Sequence, residues 1–255
     1  MKNATFDAKL VDDFFNLLIE RYSSTGGELE KRKLARYLVD YPGIQYSTHR
    51  GSVLHNVLSL SGENFDAAYQ AKLYELNLSP ELINMQVSLG ETILHETIYL
   101  AGFFFQNIYT ICRTIAPEVL IKNPLFESIF AKTEFLLELK ANPNIAAYGG
   151  STPLHIWATS QNEPRYAELL VKYQADVNCQ DDSGQTPLHH ACICNEWMTG
   201  LMPQNIKTLL NLGANPLIFD NLKEKPIDKL SQYIRKDCSE EAQNAIAEAR
   251  KILQA

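Results

Sequence analysis

The chain has 255 residues, 45% of them apolar, and a net charge of −7; this allows one elongated domain or two compact ones and argues against a nucleic-acid surface. Its five cysteines are irregularly placed, which excludes a disulfide framework and fits a reducing, cytoplasmic setting. The start, Met1 to Asp7, lacks a signal-peptide apolar stretch, and the most apolar segment, Thr97 to Phe105, is short and runs on into Gln106, Asn107 and Arg113, so no membrane span is expected.

Phe6, Leu10, Phe14, Leu17 and Leu18 recur at helical spacing, with Asp7, Asp12, Asp13, Glu20 and Arg21 between them. This predicts an amphipathic helix over about 5–22. Ser23 to Gly27 breaks it. A second helix follows over about 28–41, with Leu34, Tyr37, Leu38 and Tyr41 on one face and the basic run Lys31, Arg32, Lys33 and Arg36 on a solvated one. The pair forms an N-terminal helical cap, residues 1–45.

After Pro42-Gly43 a motif begins to recur. Ser52-Val53-Leu54-His55 is followed by Thr92-Ile93-Leu94-His95, then Thr152-Pro153-Leu154-His155, then Thr186-Pro187-Leu188-His189. The last two begin 34 residues apart and share their second halves. Leu169-Leu170 leads to Ala175-Asp176-Val177-Asn178; Leu209-Leu210 leads to Gly213-Ala214-Asn215-Pro216. Leu82-Ile83-Asn84 aligns with Asp176-Val177-Asn178. The 60 residues between Thr92 and Thr152 exceed one period, and the excess holds apolar segments around Ile108–Ile115 and Leu125–Leu139, separated by Pro117 and Pro124. It is either extra helical structure or a decayed repeat, a helical insert at about 105–135. Residues 195–203 lengthen the interhelix turn of the next repeat but one. A worn repeat starts at Lys225-Pro226-Ile227-Asp228, with Asp228 in the histidine slot. Ser239 then caps a last helix whose inward face carries Ala242, Ile246, Ala249, Ile252 and Leu253. Residues 236–255 read as a C-terminal capping helix.

The tetrapeptide has a physical logic. Threonine before a helix can cap it. Proline at the first helical position forfeits nothing, because that N–H has no intrahelical partner. Leucine enters the core. Gly150 and Gly184, two residues before the threonines, stand where a tight turn needs positive φ. One such hairpin cannot bury its own apolar face, so stacking makes the core.

A T-P-L-H turn at a period of about 33 residues resembles the ankyrin repeat. The resemblance is strong over roughly 145–230 and weaker before it. It implies an all-α fold: an ankyrin-repeat solenoid of stacked helix-turn-helix units with atypical helical caps. The array would run over 46–235, with repeats starting near 47, 87, 147, 181 and 220. It also implies that each motif histidine is structural, bonded to the capping threonine and to neighbouring backbone. Asn178 resembles ankyrin sites modified by asparaginyl hydroxylases; its other reading is a side chain that hydrogen-bonds the finger's turn.

His189, His190, Cys192 and Cys194 lie close together, but no second ligand pair at zinc spacing accompanies them. Cys112 beside Arg113 has no nearby non-motif histidine to make a nucleophile pair. Phosphate-loop, dinucleotide and hydrolase-elbow motifs do not occur. No metal, no cofactor and no catalysis are therefore expected. The alternative is an enzyme or enzyme-regulatory subunit with its site in the N-terminal region or the insert, drawing on Asp7, Asp12, Asp13, Glu118, Glu127 or Glu134.

Arrays similar to this bind partner proteins on a concave face built from finger tips and inner helices. By position, the tips are Thr48, His49 and Gly51; Ser88, Leu89 and Glu91; Tyr148, Gly149 and Ser151; Asp182, Ser183 and Gln185. The inner-helix positions are Asn56, Ser59, Glu96, Tyr99, Ile156, Thr159, His190 and Ile193. Leu89, Tyr99, Tyr148 and Ile156 form the expected apolar centre, and Trp157 and Trp197 are expected in packing. The expected role is a non-catalytic interaction module, monomeric alone, whose partner is another protein. Uneven repeats and elaborated ends also resemble ankyrin proteins that intracellular bacteria deliver into host cells, with the acidic tail as secretion signal and the host cytoplasm as destination.

Overall fold

The computed structural model describes residues 80–86, 88–111, 124–160, 163–193, 202–230 and 240–254. Within them every regular element is helical. The helices are α1 (Pro80–Ile83), α2 (Ile93–Ile111), α3 (Pro124–Glu138), α4 (Pro153–Ser160), α5 (Pro164–Lys172), α6 (Pro187–Ala191), α7 (Met202–Asn211), α8 (Pro226–Lys229) and α9 (Glu240–Gln254). Short 3₁₀ turns at Ser88–Gly90 and Tyr148–Gly150 precede α2 and α4. The expected N-terminal cap and the first repeat up to residue 79, with Thr48, His49, Gly51, Asn56 and Ser59, lie outside the described residues, as do Cys112, Cys194 and Trp197.

Two layers result. The inner layer runs α2, α4, α6, α8, each packed on the next; the outer layer runs α3, α5, α7, α9 in the same way, and α2 with α3, α4 with α5 and α6 with α7 are hairpins. One continuous core lies between the layers. The expected insert at about 105–135 is described in part, since residues 112–123 lie outside the described residues. Residues 105–111 continue inner helix α2, and 124–135 belong to outer helix α3. Pro203, read above as turn, sits in the first turn of α7, where a missing N–H costs nothing. Helix α9 extends the outer layer past the last finger, burying Ala245, Ile246 and Ala249.

Packing between layers is close. Trp157 is fully buried, and its indole N–H donates to the Glu163 carbonyl at 2.9 Å. A Cβ at Gly102 on α2 would sit 2.3 Å from Ser160 Cβ on α4. The outer layer is tied at its surface by Arg165, which bonds Glu127 at 2.8 Å, pairs with Glu163 and lies 4.6 Å from the Phe130 ring centroid.

The outer helices α3, α5 and α7 end in the same way. The N–H of Ala141, Ala175 and Ala214 reaches back to the carbonyl of Leu136, Leu170 and Leu209, each at 2.9 Å. That six-to-one bond is the Schellman closure, and it places the preceding residue in the left-handed region. Those residues are Lys140 and Gln174, both at φ 70°, and Gly213 at φ 96°. Only Gly213 is the residue type that adopts this backbone freely. Gln174→Gly is therefore expected to raise stability by about 0.5–1 kcal/mol, visible as a small upward shift in urea midpoint with an unchanged m-value.

Candidate protein-binding surface

The surface is built by devices that join each repeat to the next. In the three intact motifs the threonine N–H donates to the histidine Nδ1: Thr92 to His95 at 3.1 Å, Thr152 to His155 at 3.2 Å, Thr186 to His189 at 3.1 Å. The threonine hydroxyl approaches the same nitrogen at 2.8, 2.9 and 2.9 Å. The other ring nitrogen, Nε2, faces a carbonyl of the following repeat: Ser151 at 3.2 Å, Gln185 at 3.0 Å and Glu224 at 3.1 Å. A carbonyl only accepts, so Nε2 carries the proton and Nδ1 is the acceptor. Capping thus comes mainly from histidine to the threonine backbone. The hydroxyl cap expected from sequence occurs at Thr186, accepting from His189 N at 3.4 Å. In the last repeat the Lys225 N–H donates to Asp228 Oδ2 at 2.8 Å. Aspartate closes the turn but, as a carboxylate that only accepts, has no N–H to extend the chain of bonds to a carbonyl.

Burial holds these imidazoles neutral. It pushes His95 and His155 down to about 4, against raising contributions from backbone bonds, and it lowers His189 as well.

A second ladder runs along the finger bases. Asn84, Asn144 and Asn178 each donate from Nδ2 to the next repeat, to the carbonyls of Lys140 (2.9 Å), Gln174 (2.7 Å) and Gly213 (3.2 Å). Each accepts at Oδ1 from the next repeat's backbone, at Asn142, Asp176 and Asn215. Asn178 is therefore bonded across repeats on both sides of its amide, rather than only to its own turn.

The fingers then stack tip to tip. Asp182 N donates to Gly149 O and Asn221 N to Ser183 O, both at 3.0 Å. Gly90, Gly150 and Gly184 lie at φ 71°, 77° and 75°, as the turn requires. In the last finger Lys223 takes the glycine slot at φ 64°. Nearby, Lys229 is buried between Asp220 (2.6 Å) and Glu224 (2.5 Å). Burial works against its charge, but the two carboxylates outweigh this and hold Lys229 above the usual lysine range.

Most of the expected binding residues can now be placed. Tyr148 is 82% exposed, Leu89 64% and Tyr99 62%. Asp182, Ser183 and Thr159 are exposed; Ser151, Glu91, Glu96, Ile156, Gln185, His190 and Ile193 are half-buried. Ser88 opens the turn before α2. Thr159 turns its hydroxyl back onto the Ile156 carbonyl at 2.9 Å. His190 is bonded through Nε2 to Asp181 Oδ2 at 2.8 Å, and its ring meets that of His155 edge-on at 5.0 Å. Ile193 lies just past the end of α6. Three exposed apolar residues of the last finger, Leu222 at the tip and Phe219 and Leu217 before it, were missed. The signal was available: Asp220-Asn221-Leu222 stands in the register of Asp181-Asp182-Ser183.

His155, Asp181 and His190 offer ligand atoms within 4.8 Å of one another. His155 does not fit a metal, because Nδ1 accepts from Thr152 and Nε2–H is given to Gln185. The motif residue His189 is likewise spent on Thr186 and Glu224, and Cys192 is fully buried. Of the carboxylates weighed for catalysis, Glu127 and Glu134 face Arg165 and Lys172 on the outer layer; Asp7, Asp12, Asp13 and Glu118 lie outside the described residues.

A cavity adjoins the surface. It has a volume of about 370 Å³ and is lined, among the described residues, by Glu91, Ile93, Glu96, Thr97, Tyr99, Leu100 and Lys132. The fold brings three expected binding residues, Glu91, Glu96 and Tyr99, to one hollow, with Lys132 from α3 as its floor. Lys132 is 1% exposed, and burial pushes its ammonium down to about 7. Glu96 rises to about 7, first through burial and then through repulsion from Glu91, with Lys132 opposing. Sequence reading passed over Lys132. Its signal was one lysine on the stripe Ile129, Lys132, Thr133, Leu136, all of them buried.

Lys132→Met is expected to raise stability by about 2 kcal/mol at neutral pH, since an apolar side chain of similar length removes the cost of a buried ammonium. The pH dependence checks the cause. With the folded pKa below the unfolded one, the unfolded chain binds more protons between about 7 and 10.5. The native chain should gain stability as pH rises through that window, and Lys132→Met should abolish the gain.

Comparison with known proteins agrees with the geometry. Residues 127–220 match the family model for ankyrin repeats in three copies. The chain is 29% identical over 168 residues to the ANK repeat-containing protein nipk-1 of Caenorhabditis elegans, covering 54% of this chain and 26% of that protein. It is 26% identical over 227 residues to the glycerophosphocholine phosphodiesterase GDE1 of Candida albicans, covering 79% of this chain and 18% of that enzyme. It is 42% identical over 59 residues to a protein of Rickettsia felis named as an ankyrin repeat protein, covering 22% and 26%. The matched stretch thus spans about a quarter or less of each relative's length. No helix among the described residues is long and apolar enough to cross a membrane.

Proposed function

We propose, starting from the fact that this chain is an ankyrin-repeat protein and so a protein–protein interaction module, that it binds its partner protein across the finger tips and inner helices without catalysing a reaction. The observation that supports this most is the exposure of large apolar side chains at those positions. Tyr148, Leu89 and Leu222 stand out at three tips and Tyr99 on inner helix α2, while the layers behind them are closed and bonded. Exposed aromatics ringed by polar groups are the pattern of an interface centre. Asp182, Ser183, Glu91 and Ser151 supply the polar rim. Within this reading the repeats span 46–235 between helical caps at 1–45 and 236–255, and the chain acts as a monomer in the cytoplasm.

Tyr99→Ala with Tyr148→Ala is expected to weaken partner binding at least tenfold. Both side chains are mostly exposed, so the melting temperature should move little. Full affinity in the double variant places the interface elsewhere.

A second reading is delivery into a host cell as an effector. It is favoured by α9, whose outward face exposes Glu240 and Glu248 beside the half-buried Ile252 and Leu253. Deleting residues 236–255 should abolish translocation in a delivery assay. Unchanged delivery removes the tail as signal; no delivery of the intact chain removes the reading.

A further inference from the structure

Lys132 and Glu96 leave an unmet demand in the cavity between α2 and α3. Lys132 is 1% exposed and lines the hollow, yet among the described residues its ammonium has neither hydrogen bond nor ion pair. A buried ammonium is costly unless something accepts from it. The Glu96 carboxyl, also in the lining, has no hydrogen-bond partner among the described residues. Ile93 and Leu100 make the walls apolar, Glu91 sits at the rim, and Tyr99 stands 62% exposed beside the mouth. At about 370 Å³ the hollow has the size of a small ligand site.

We propose that this cavity is a specificity pocket for a carboxamide side chain, asparagine or glutamine, carried by the bound partner, with its carbonyl on Lys132 Nζ and its N–H on the Glu96 carboxylate. The proposal rests on the binding surface argued above and names the chemistry of its occupant. Donor and acceptor count selects that occupant. A primary carboxamide offers an acceptor and a donor on the same edge, with its second N–H directed away, matching an ammonium facing a carboxylate. A partner carboxylate would satisfy Lys132 but would add a negative charge beside Glu91 and Glu96 and offer the Glu96 carboxylate no donor. A guanidinium would satisfy Glu96 but would bring its charge against Lys132, which would still lack an acceptor. A backbone peptide group holds its N–H and C=O on opposite edges and cannot serve both.

The test uses the full chain and three defined probes: the N-acetyl methylamides of glutamine, glutamate and arginine. Each is titrated at pH 7 while the amide signals of Glu96 and Tyr99 and the side-chain signal of Lys132 are followed by NMR. The glutamine probe should give saturable shifts at these positions, weakened at least tenfold by Lys132→Met and by Glu96→Leu, and the other two probes should not saturate. Two variants on different helices guard against one that fails to fold. No saturable shift from the glutamine probe, tighter binding of either charged probe, or undiminished shifts in a folded variant would overturn the proposal. A partner that protects the finger tips while the glutamine probe is silent overturns the pocket and leaves the surface standing. A saturating probe with a partner bound elsewhere does the reverse.

Discussion

Acidification from pH 6.5 towards 4 is expected to strip several kcal/mol from the folded state, well before the carboxylates of an ordinary surface are protonated. The cause is the row of motif imidazoles. His95 and His155 are fully buried, and each folded pKa lies near 4 while the unfolded chain titrates near 6.5. Between those values the unfolded chain binds more protons, so stability falls as pH falls. Each ring contributes about 3 kcal/mol across its window, and His189, shifted the same way, adds to it. Glu96 opposes the trend, because its raised pKa makes the folded chain take up a proton between about 4.5 and 7. That group is half-buried, so solvent screening shrinks its share. Urea midpoints measured at half-unit pH steps should show the loss concentrated between 6.5 and 4. His155→Gln should flatten the slope, since glutamine does not titrate. A slope centred below pH 4 would mean that the rings are not held neutral.

Gly150→Ala is expected to cost about 3 kcal/mol, and Gly149→Ala, one residue earlier, about 1. Both glycines have φ near 78°, so both substitutions carry left-handed strain of about 1 kcal/mol. They differ in what the new methyl meets. At Gly149 nothing lies within 4 Å; at Gly150 the added Cβ would fall 2.5 Å from Asp182 N, a backbone atom of the next finger. Forcing that contact apart costs about a further 2 kcal/mol and disturbs the bond from Asp182 N to Gly149 O. Thermal unfolding of the two variants side by side isolates the stacking contribution. Equal losses would show that finger-to-finger contact does not support the array.

The repeat architecture was legible because its devices are local. Threonine, proline, leucine and histidine in one tetrapeptide place a cap, a helix start, a core residue and a ring within four positions, and glycine two residues earlier marks the turn. The cross-repeat role of Asn84, Asn144 and Asn178 was less visible, because a side chain that reaches the next repeat leaves no local pattern. The stretch after Thr92 could not be resolved from residues alone. Apolar spacing around 108–115 and 125–139 fits extra helical structure as well as a decayed repeat, and residues 112–123, between α2 and α3, lie outside the described residues. Lys132 was hidden for a related reason: lysine in an amphipathic stretch ordinarily marks the wet face, and here it lies on the dry one. Leu222 was obscured by the decay of its own motif, in which Lys225 and Asp228 replace threonine and histidine.

The most direct measurement of the proposed role is hydrogen exchange on the full chain with and without its partner. Protection is expected at the finger tips and inner helices, in segments 88–99, 148–159 and 182–190, with α5 and α7 unchanged. Protection confined to α5, α7 and α9, with the tips exchanging as in the free chain, would contradict it.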